Sequence, residues 1–376
     1  MSIYLDNAAT TQVCPEAAQA ALEVMTVHYG NPSSTHALGR EAAKLLAKAR
    51  GQVAKALGCK AEELVFTSCG SEGDNWALLR GADYQKKYGK HIISSTAEHA
   101  AVLRCLDELE ARGFDVTRLK PGKDGAVSVD AVRNALRPDT SLVSLMLVNN
   151  ETGAVTDVAA VAAAVKAANP KALVHTDAVQ AFLKLPFTPA KLGVDLLTIS
   201  GHKVHAPKGV GALFIRSGIH LPPFILGGGQ EQGRRSGTES LPLIAAFGAA
   251  CEAASATAEA DRARMAALRD RCAERLAAEN EGLQVLGGCA PQILSISLPG
   301  WRSEVLMNAL EAEGIYVSKS SACKRGGRSY VLEQMGFPAP VIDGALRVSF
   351  SRLSTMEEAD AFCDALTAAR QRLRHR

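Results

Sequence analysis

Asp195-Leu-Leu-Thr-Ile-Ser-Gly-His-Lys203-Val-His-Ala-Pro-Lys-Gly-Val-Gly211 is the stretch on which the reading of the chain turns. Its first half has no polar alternation and reads as a strand buried on both faces. The strand runs into Ser200-Gly-His-Lys203, so a lysine stands at its carboxyl end, where α/β sheets place their ligands. Partial desolvation there lowers a lysine's pKa and exposes a nucleophilic amine. Glycine and proline fix the backbone around it. A surface lysine in a turn is the plain alternative, and for a lysine taken alone it is the commoner one.

Working outward, strand and helix patterns alternate. Residues 64–67, 91–95, 142–148, 172–176, 196–199 and 210–215 read as strands. Residues 41–57, 72–80, 100–112 and 157–168 read as helices, the first ended by Gly58 and the last by Asn169-Pro170. Strands separated by helices imply βαβ units and a mainly parallel sheet. Residues 241–280 form a long alanine-rich, then charged, helical stretch that reads as the link to a smaller α+β domain. The division expected is a large domain over 15–255 and a small one made of 1–14 and 256–376.

The totals narrow the class. The chain has 376 residues, 47% hydrophobic and 22% charged, which excludes a mainly disordered protein. A formal net charge of +3 gives no reason to expect a nucleic-acid or membrane-surface partner. The start, Met1-Ser-Ile-Tyr-Leu-Asp6, has neither a basic lead nor an apolar core, and the apolar runs at 158–165 and 241–251 are short for a bilayer; the expectation is cytoplasmic. Nine cysteines show no CxxC and no zinc spacing, and His202/His205 lack a third ligand, so no metal is expected.

Five further segments carry chemistry. In Ala172-Leu-Val-His-Thr-Asp177-Ala-Val-Gln180 a buried strand ends in an aspartate placed to hold a protonated pyridine nitrogen; a helix N-cap accounts for it equally well. Leu64-Val-Phe-Thr-Ser-Cys-Gly70-Ser71-Glu72 is strand, turn and helix start, the makings of a phosphate cradle. It is neither a P-loop nor a dinucleotide fingerprint, and the glycine run at 227–233 also fails GxGxxG, which disfavours a nicotinamide dehydrogenase. His99 follows a strand, placed to stack on a flat cofactor and shuttle protons; a structural histidine is the alternative. Cys323 lies in a polar, basic, glycine-containing loop with Lys324, Arg325 and Arg328, which favours its thiolate. Arg347 emerges from a strand in the small domain, suited to a bidentate clamp on a carboxylate or to a salt bridge between domains.

Together with Tyr4-Leu-Asp-Asn-Ala-Ala-Thr-Thr11, Gly30-Asn-Pro-Ser-Ser34, Glu98-His99, Asn149-Asn-Glu151, Arg235-Ser-Gly-Thr238 and Ser321-Ala-Cys323, these pieces run nearly end to end. The chain resembles the pyridoxal-phosphate (PLP) cysteine desulfurases of the iron–sulfur-cluster and nitrogen-fixation type. The resemblance implies an α/β, fold-type-I PLP-dependent transferase: a large domain with a mainly parallel mixed sheet sandwiched by helices, plus a smaller α+β domain. It implies a homodimer with active sites at the subunit interface. The implied reaction takes L-cysteine to L-alanine and passes the sulfur to an acceptor protein, a cluster scaffold or a tRNA-thiolating enzyme. By the same resemblance, Lys203 forms the covalent link to the cofactor, Asp177 holds its ring nitrogen, Gln180 its ring hydroxyl, and His99 stacks on the ring. Gly70, Ser71, Ser200 and His202 hold the phosphate, with Thr238 reaching in from the other subunit. Asn31, Asn150 and Arg347 stand on the substrate side, and Cys323 accepts the sulfur. The sequence departs from the usual pattern at Cys69, Ser71, Ala206 and Ser351, each small for small, and the segment after Cys323 is shorter than in long-loop members. Alternatives are a selenocysteine lyase, a small-acid aminotransferase of the same fold, and a non-catalytic sulfur-relay scaffold.

Overall fold

The computed structural model describes residues 2–319 and 327–373. Its largest sheet has seven strands, in the spatial order Leu64–Thr67, Gly211–Ile215, Leu196–Ser200, Leu173–Asp177, Thr140–Ser144, His91–Ser95 and Asp115–Leu119. Gly211–Ile215 runs antiparallel to both of its neighbours, and every other pairing is parallel. The strands expected at 64–67 and 91–95 fall where the sequence puts them. The 142–148 run leaves the ladder after Ser144, yet its extension stays tied to the next strand, Leu145 N donating to His175 O and Leu147 N to Asp177 O. The edge strand Asp115–Leu119 carries no alternation the sequence makes visible; its charged, half-exposed residues suit an unpaired edge.

Helices cover both faces. Ala37–Leu57 ends at Gly58, whose φ of +74° closes the left-handed cap only glycine adopts freely. The helix expected over 72–80 is longer and broken in character. Gly70–Asn75 is α-helical, Trp76–Arg80 is a π turn, and Gly81–Gln85 resumes the α-helix. The π turn sends Trp76, Ala77 and Leu78 into the core together, and Trp76 Nε1 donates to Pro222 O at 3.0 Å.

Leu241–Glu279 is one helix of 39 residues. Its apolar window reaches the length and mean hydropathy of a membrane span, further than the run at 241–251 suggests. Ile244, Phe247, Ala250 and Cys251 sit in the core beside the main sheet. Met265, Leu268, Cys272 and Leu276 sit in a second core with Leu294, Leu346, Phe350 and Phe362. One rod of about 58 Å, at 1.5 Å per residue, therefore passes through both cores. The second core lies on an antiparallel sheet ordered Ser318–Lys319, Ala345–Ser349, Ile293–Ser297 and Gln284–Leu286. The N-terminal segment joins both parts: Ile3–Tyr4 pairs with Ile315–Tyr316, Leu5 is in the second core, and Ala8 and Cys14 are in the first.

Candidate active site

Five of the six main-sheet strands that share one direction deliver the site, each through its carboxyl end or the residues just past it. Gly70, His99, Asn150, Asp177 and Lys203 follow or end such strands, and all five line one cavity of about 340 Å³. That size suits a small cofactor with a bound substrate. Ser71, Gln180, Ser200, His202 and Arg347 line it too. The structure therefore brings together every expected cofactor residue except Thr238, and every expected substrate residue except Asn31. Thr238 is exposed and lines a separate small cavity with Glu231 and Arg235. Asn31 lies in an exposed loop, its Oδ1 accepting from Ser33 N. Cys323 lies outside the described residues.

The turn at 68–71 is shaped by close contact. A Cβ at Gly70 would come within 2.9 Å of Val179 Cγ2, so only glycine lets this helix start seat against the segment after Asp177. Glu72 braces the turn, accepting from Ser68 N at 2.8 Å and Ser68 Oγ at 2.6 Å. Arg235 Nε donates to the same carboxylate at 2.8 Å, which ties the Arg235-Ser-Gly-Thr238 segment to the turn. Gly70 and Ser71, the first residues of this helix, line the cavity, and the first N–H groups of a helix have no partners within it. Ser200 Oγ, buried, has no hydrogen-bond partner beside them. His202 Nδ1 contacts Thr10 Oγ1 at 3.2 Å, and burial with the nearby Lys203, Lys184 and Lys208 lowers its pKa to about 4. It is thus a neutral ring at neutral pH.

At the floor, Asp177 ends its strand and accepts from Val179 N at 2.9 Å. Burial pushes its carboxyl up, and the opposing pull of His99 and Lys203 does not cancel that. Asp74, which sequence reasoning missed, also lines the cavity, and burial and Asp177 hold its carboxyl well above the usual range. Its only sequence signal is a helical step of four from Gly70, which points both at the sheet. Beneath them runs a polar row in which His175 Nδ1 meets Ser144 Oγ at 2.8 Å and Nε2 meets Thr198 Oγ1 at 3.1 Å. Burial lowers the His175 pKa to about 3, so this ring is neutral. Glu98 Oε1 accepts from Met146 N at 2.9 Å, and burial holds its carboxyl well above the ordinary range.

His99 is the N-cap of Ala100–Ala111, its Nδ1 accepting from Ala101 N at 3.2 Å, which leaves Nε2 as the nitrogen open to other partners. Lys203 Nζ donates to Ala8 O and Ala9 O, each at 2.6 Å. The Tyr4–Thr11 motif thus proves to be part of the site, a role the sequence did not assign. Thr11 Oγ1 also donates to His202 O at 2.9 Å, and Gln180 Nε2 to Ala8 O at 2.8 Å. Arg347 reaches the cavity from the small sheet, donating to Asn150 O at 2.9 Å and Asp6 Oδ1 at 2.8 Å.

The residues present fit PLP. Asp177 is a desolvated carboxylate that a protonated pyridine nitrogen at the cavity floor would neutralise. Gln180 Oε1, Asn150 Oδ1 and Ser200 Oγ are buried polar atoms without partners along the walls, groups that ordinarily pair. The helix start at Gly70 offers backbone donors to a phosphate. Lys203 supplies the amine for a covalent link.

Comparison with known proteins agrees. The aminotransferase class-V family model matches residues 3–362. Cysteine desulfurase 2 of Trichormus variabilis is 41% identical over 377 residues, spanning 99% of this chain and 94% of its own. Cysteine desulfurase IscS of Methanosarcina thermophila is 40% identical, spanning 100% of this chain and 93% of its own. A solved NifS-like protein superposes with a TM-score of 0.93 at 38% identity, over 99% of this chain and all of its own. With its sheet, cavity and lysine arranged in this way, the chain belongs to the class-V aminotransferase family of fold-type-I PLP enzymes.

Proposed function

We propose that this protein is a PLP-dependent cysteine desulfurase, which converts L-cysteine to L-alanine and carries the sulfur off as a persulfide on Cys323. The observation that carries the reading is that Asp177 and Arg347, from strands of two sheets, and Lys203, from the turn after a third strand, line one cavity. Its relatives by name include cysteine desulfurases, and one similar solved structure, at 29% identity and a TM-score of 0.82, is SspA in complex with cysteine.

When bound, PLP supplies an electron sink for charge released at the amino acid's Cα. The chain's own residues do the rest. Arg347 Nη1 and Nη2 bind the substrate carboxylate, a charge-assisted contact that fixes the Cα–H bond relative to Lys203. Lys203 Nζ, held by the Ala8 and Ala9 carbonyls, takes up the Cα proton. Asp177 stays ionised against a cationic ring nitrogen, which a buried carboxylate does only when paired. Neutral His202 and the helix start at Gly70 would hold the phosphate. His99 would stack on the ring and move a proton through Nε2, its Nδ1 being engaged by Ala101 N. The Cys323 thiolate attacks the substrate sulfur, the Cβ–S bond breaks, and after protonation at Cβ alanine leaves.

The acceptor is a thiol-bearing protein of cluster assembly or tRNA thiolation, and the enzyme works in the cytoplasm as a homodimer. Supporting the dimer, Leu22, Met25, Val27, Tyr29 and Leu38 expose large apolar side chains within a short span that includes Asn31, and Leu226, 80% exposed, stands near Thr238 in the sequence. A second copy would cover them and bring Asn31 and Thr238 to a neighbouring cavity. We keep the division into a large part over 15–255 and a small part of 1–14 with 256–376, the segment 1–14 packing into both cores. The test is incubation with cysteine while cofactor colour, alanine and protein-bound persulfide are followed together. Alanine and persulfide in equal amounts support the reading; a colourless protein, or turnover that needs a 2-oxo acid, ends it.

A further inference from the structure

Lys184 is a lysine the mechanism above does not use. It is 7% exposed, and among the described residues its Nζ takes part in no hydrogen bond or ion pair. It lines a cavity of about 30 Å³ on the far side of Lys203, which borders both this space and the main cavity. The small cavity has room for an ordered water.

The backbone around it is strained. Leu183 has φ of +60° and His205 φ of +66°, two of the four non-glycine residues in the left-handed region among the described residues. Both line the small cavity, one just before Lys184 and the other two residues past Lys203. A side-chain-bearing residue pays about 1–2 kcal/mol for that conformation, and such strain persists where the surroundings over-determine it, commonly at functional sites. Here it turns two separate segments so that their lysines enter one small space.

Two acidic groups stand near the pair: Asp177 interacts with Lys203 from the main cavity, and Asp261 lines the small one. Asp261, from the long helix, spends Oδ2 on Thr257 Oγ1 and Oδ1 on Arg264 Nη2, both at 2.6 Å. His205 is kept neutral by burial, its pKa lowered to about 4, with Nδ1 against Gln12 O at 2.8 Å. Arg352, past the Ala345–Ser349 strand, adds a further cation, and His202 is neutral.

We propose that Lys184 is a positioning residue for the reaction: an ammonium buried behind Lys203 that keeps the Lys203 nitrogen unprotonated when it must accept the Cα proton. The inference rests on Lys203 being the cofactor lysine. Two cations confined in a shared low-dielectric space disfavour each other, so charge on one drives the other neutral. Burial, and next the charge of Lys203, lower the Lys184 pKa to about 7, so the coupling operates around neutral pH.

The experiment is a pH titration of the visible cofactor band in the holoenzyme, alongside the pH profile of kcat/KM. Lys184→Met removes the charge at similar volume and is expected to raise the midpoint of the band by ~1 pH unit and move the acid limb of kcat/KM up with it. Lys184→Arg, which keeps a cation, is expected to stay near the parent values. A Met variant whose midpoint coincides with the parent, or an Arg variant that shifts as far as Met, overturns the inference. If Lys184→Met does not fold, Lys184→Gln serves the same comparison. A parent protein with no visible band overturns the cofactor reading itself; an intact band with unmoved midpoints overturns only the role of Lys184.

Discussion

Arg347 and Asp6 form an ion pair of 2.8 Å in which the arginine is 1% exposed and the aspartate comes from the opposite end of the chain. The second guanidinium nitrogen donates to Asn150 O, and Nε has no partner. The N-terminal segment and a loop of the main body thus aim the arginine of the small sheet at the cavity. In the proposed role, the arginine would offer a substrate carboxylate an oriented fork rather than a flexible cation.

Arg347→Lys keeps the charge and loses the fork. Losing one charge-assisted bond is worth about 1.5–3 kcal/mol, so kcat/KM should fall roughly 10- to 100-fold, mostly through KM. Steady-state kinetics with cysteine check this. An unchanged KM removes Arg347 from the carboxylate site.

Lys203 and Cys323 should fail separately. Lys203→Ala is expected to lose the visible cofactor band and turnover together. Cys323→Ala should keep the band, still bind cysteine, and form no persulfide. Absorbance and sulfide assays distinguish them. Desulfuration by Cys323→Ala at the parent rate removes its role as nucleophile.

Asp177→Asn replaces a buried carboxylate with a neutral group of the same shape. Breaking a buried charge pair costs about 3–5 kcal/mol, so turnover should drop by about two to four orders of magnitude, with weaker cofactor retention. Cofactor stoichiometry after dialysis, measured beside kcat, tests it. Parent-like retention and rate would mean that the ring nitrogen lies elsewhere.

Glu151 is buried, accepts from Ser329 Oγ, and has its pKa raised by burial to about 7. The folded state therefore binds a proton that the unfolded state releases at lower pH. Its favourable contribution is complete below the usual carboxyl range, near 4.5, and is lost as pH rises through about 7. The full swing is about 3 kcal/mol. Glu151→Gln should flatten the fall in Tm between pH 5 and pH 8 while keeping the Ser329 contact. A Tm–pH curve parallel to the parent's contradicts the raised pKa.

Tyr29 and Leu226 are 70% and 80% exposed, unusual for large apolar side chains. Tyr29→Asp with Leu226→Asp should convert a dimer to monomers and remove most activity without unfolding the chain. Light scattering reads the mass and circular dichroism the fold. A parent protein that is already monomeric and active refutes the homodimer.

The sequence by itself determined the alternation of strands and helices, the lysine after Leu196–Ser200, the aspartate ending Leu173–Asp177 and the turn at Gly70. Those signals are local: apolar runs, glycine punctuation and the position of a residue along its own element are written within a few neighbours. Tertiary structure alone decided that Ala8 and Ala9, from a segment 194 or more residues away, hold Lys203 by their carbonyls. It alone placed Asp74 beside Asp177, turned the π-helical step at Trp76–Arg80, and sent Lys184 behind Lys203. These relationships come from how elements pack against one another, and burial, which sets the charge of each buried carboxyl and amine, has no counterpart in the order of residues.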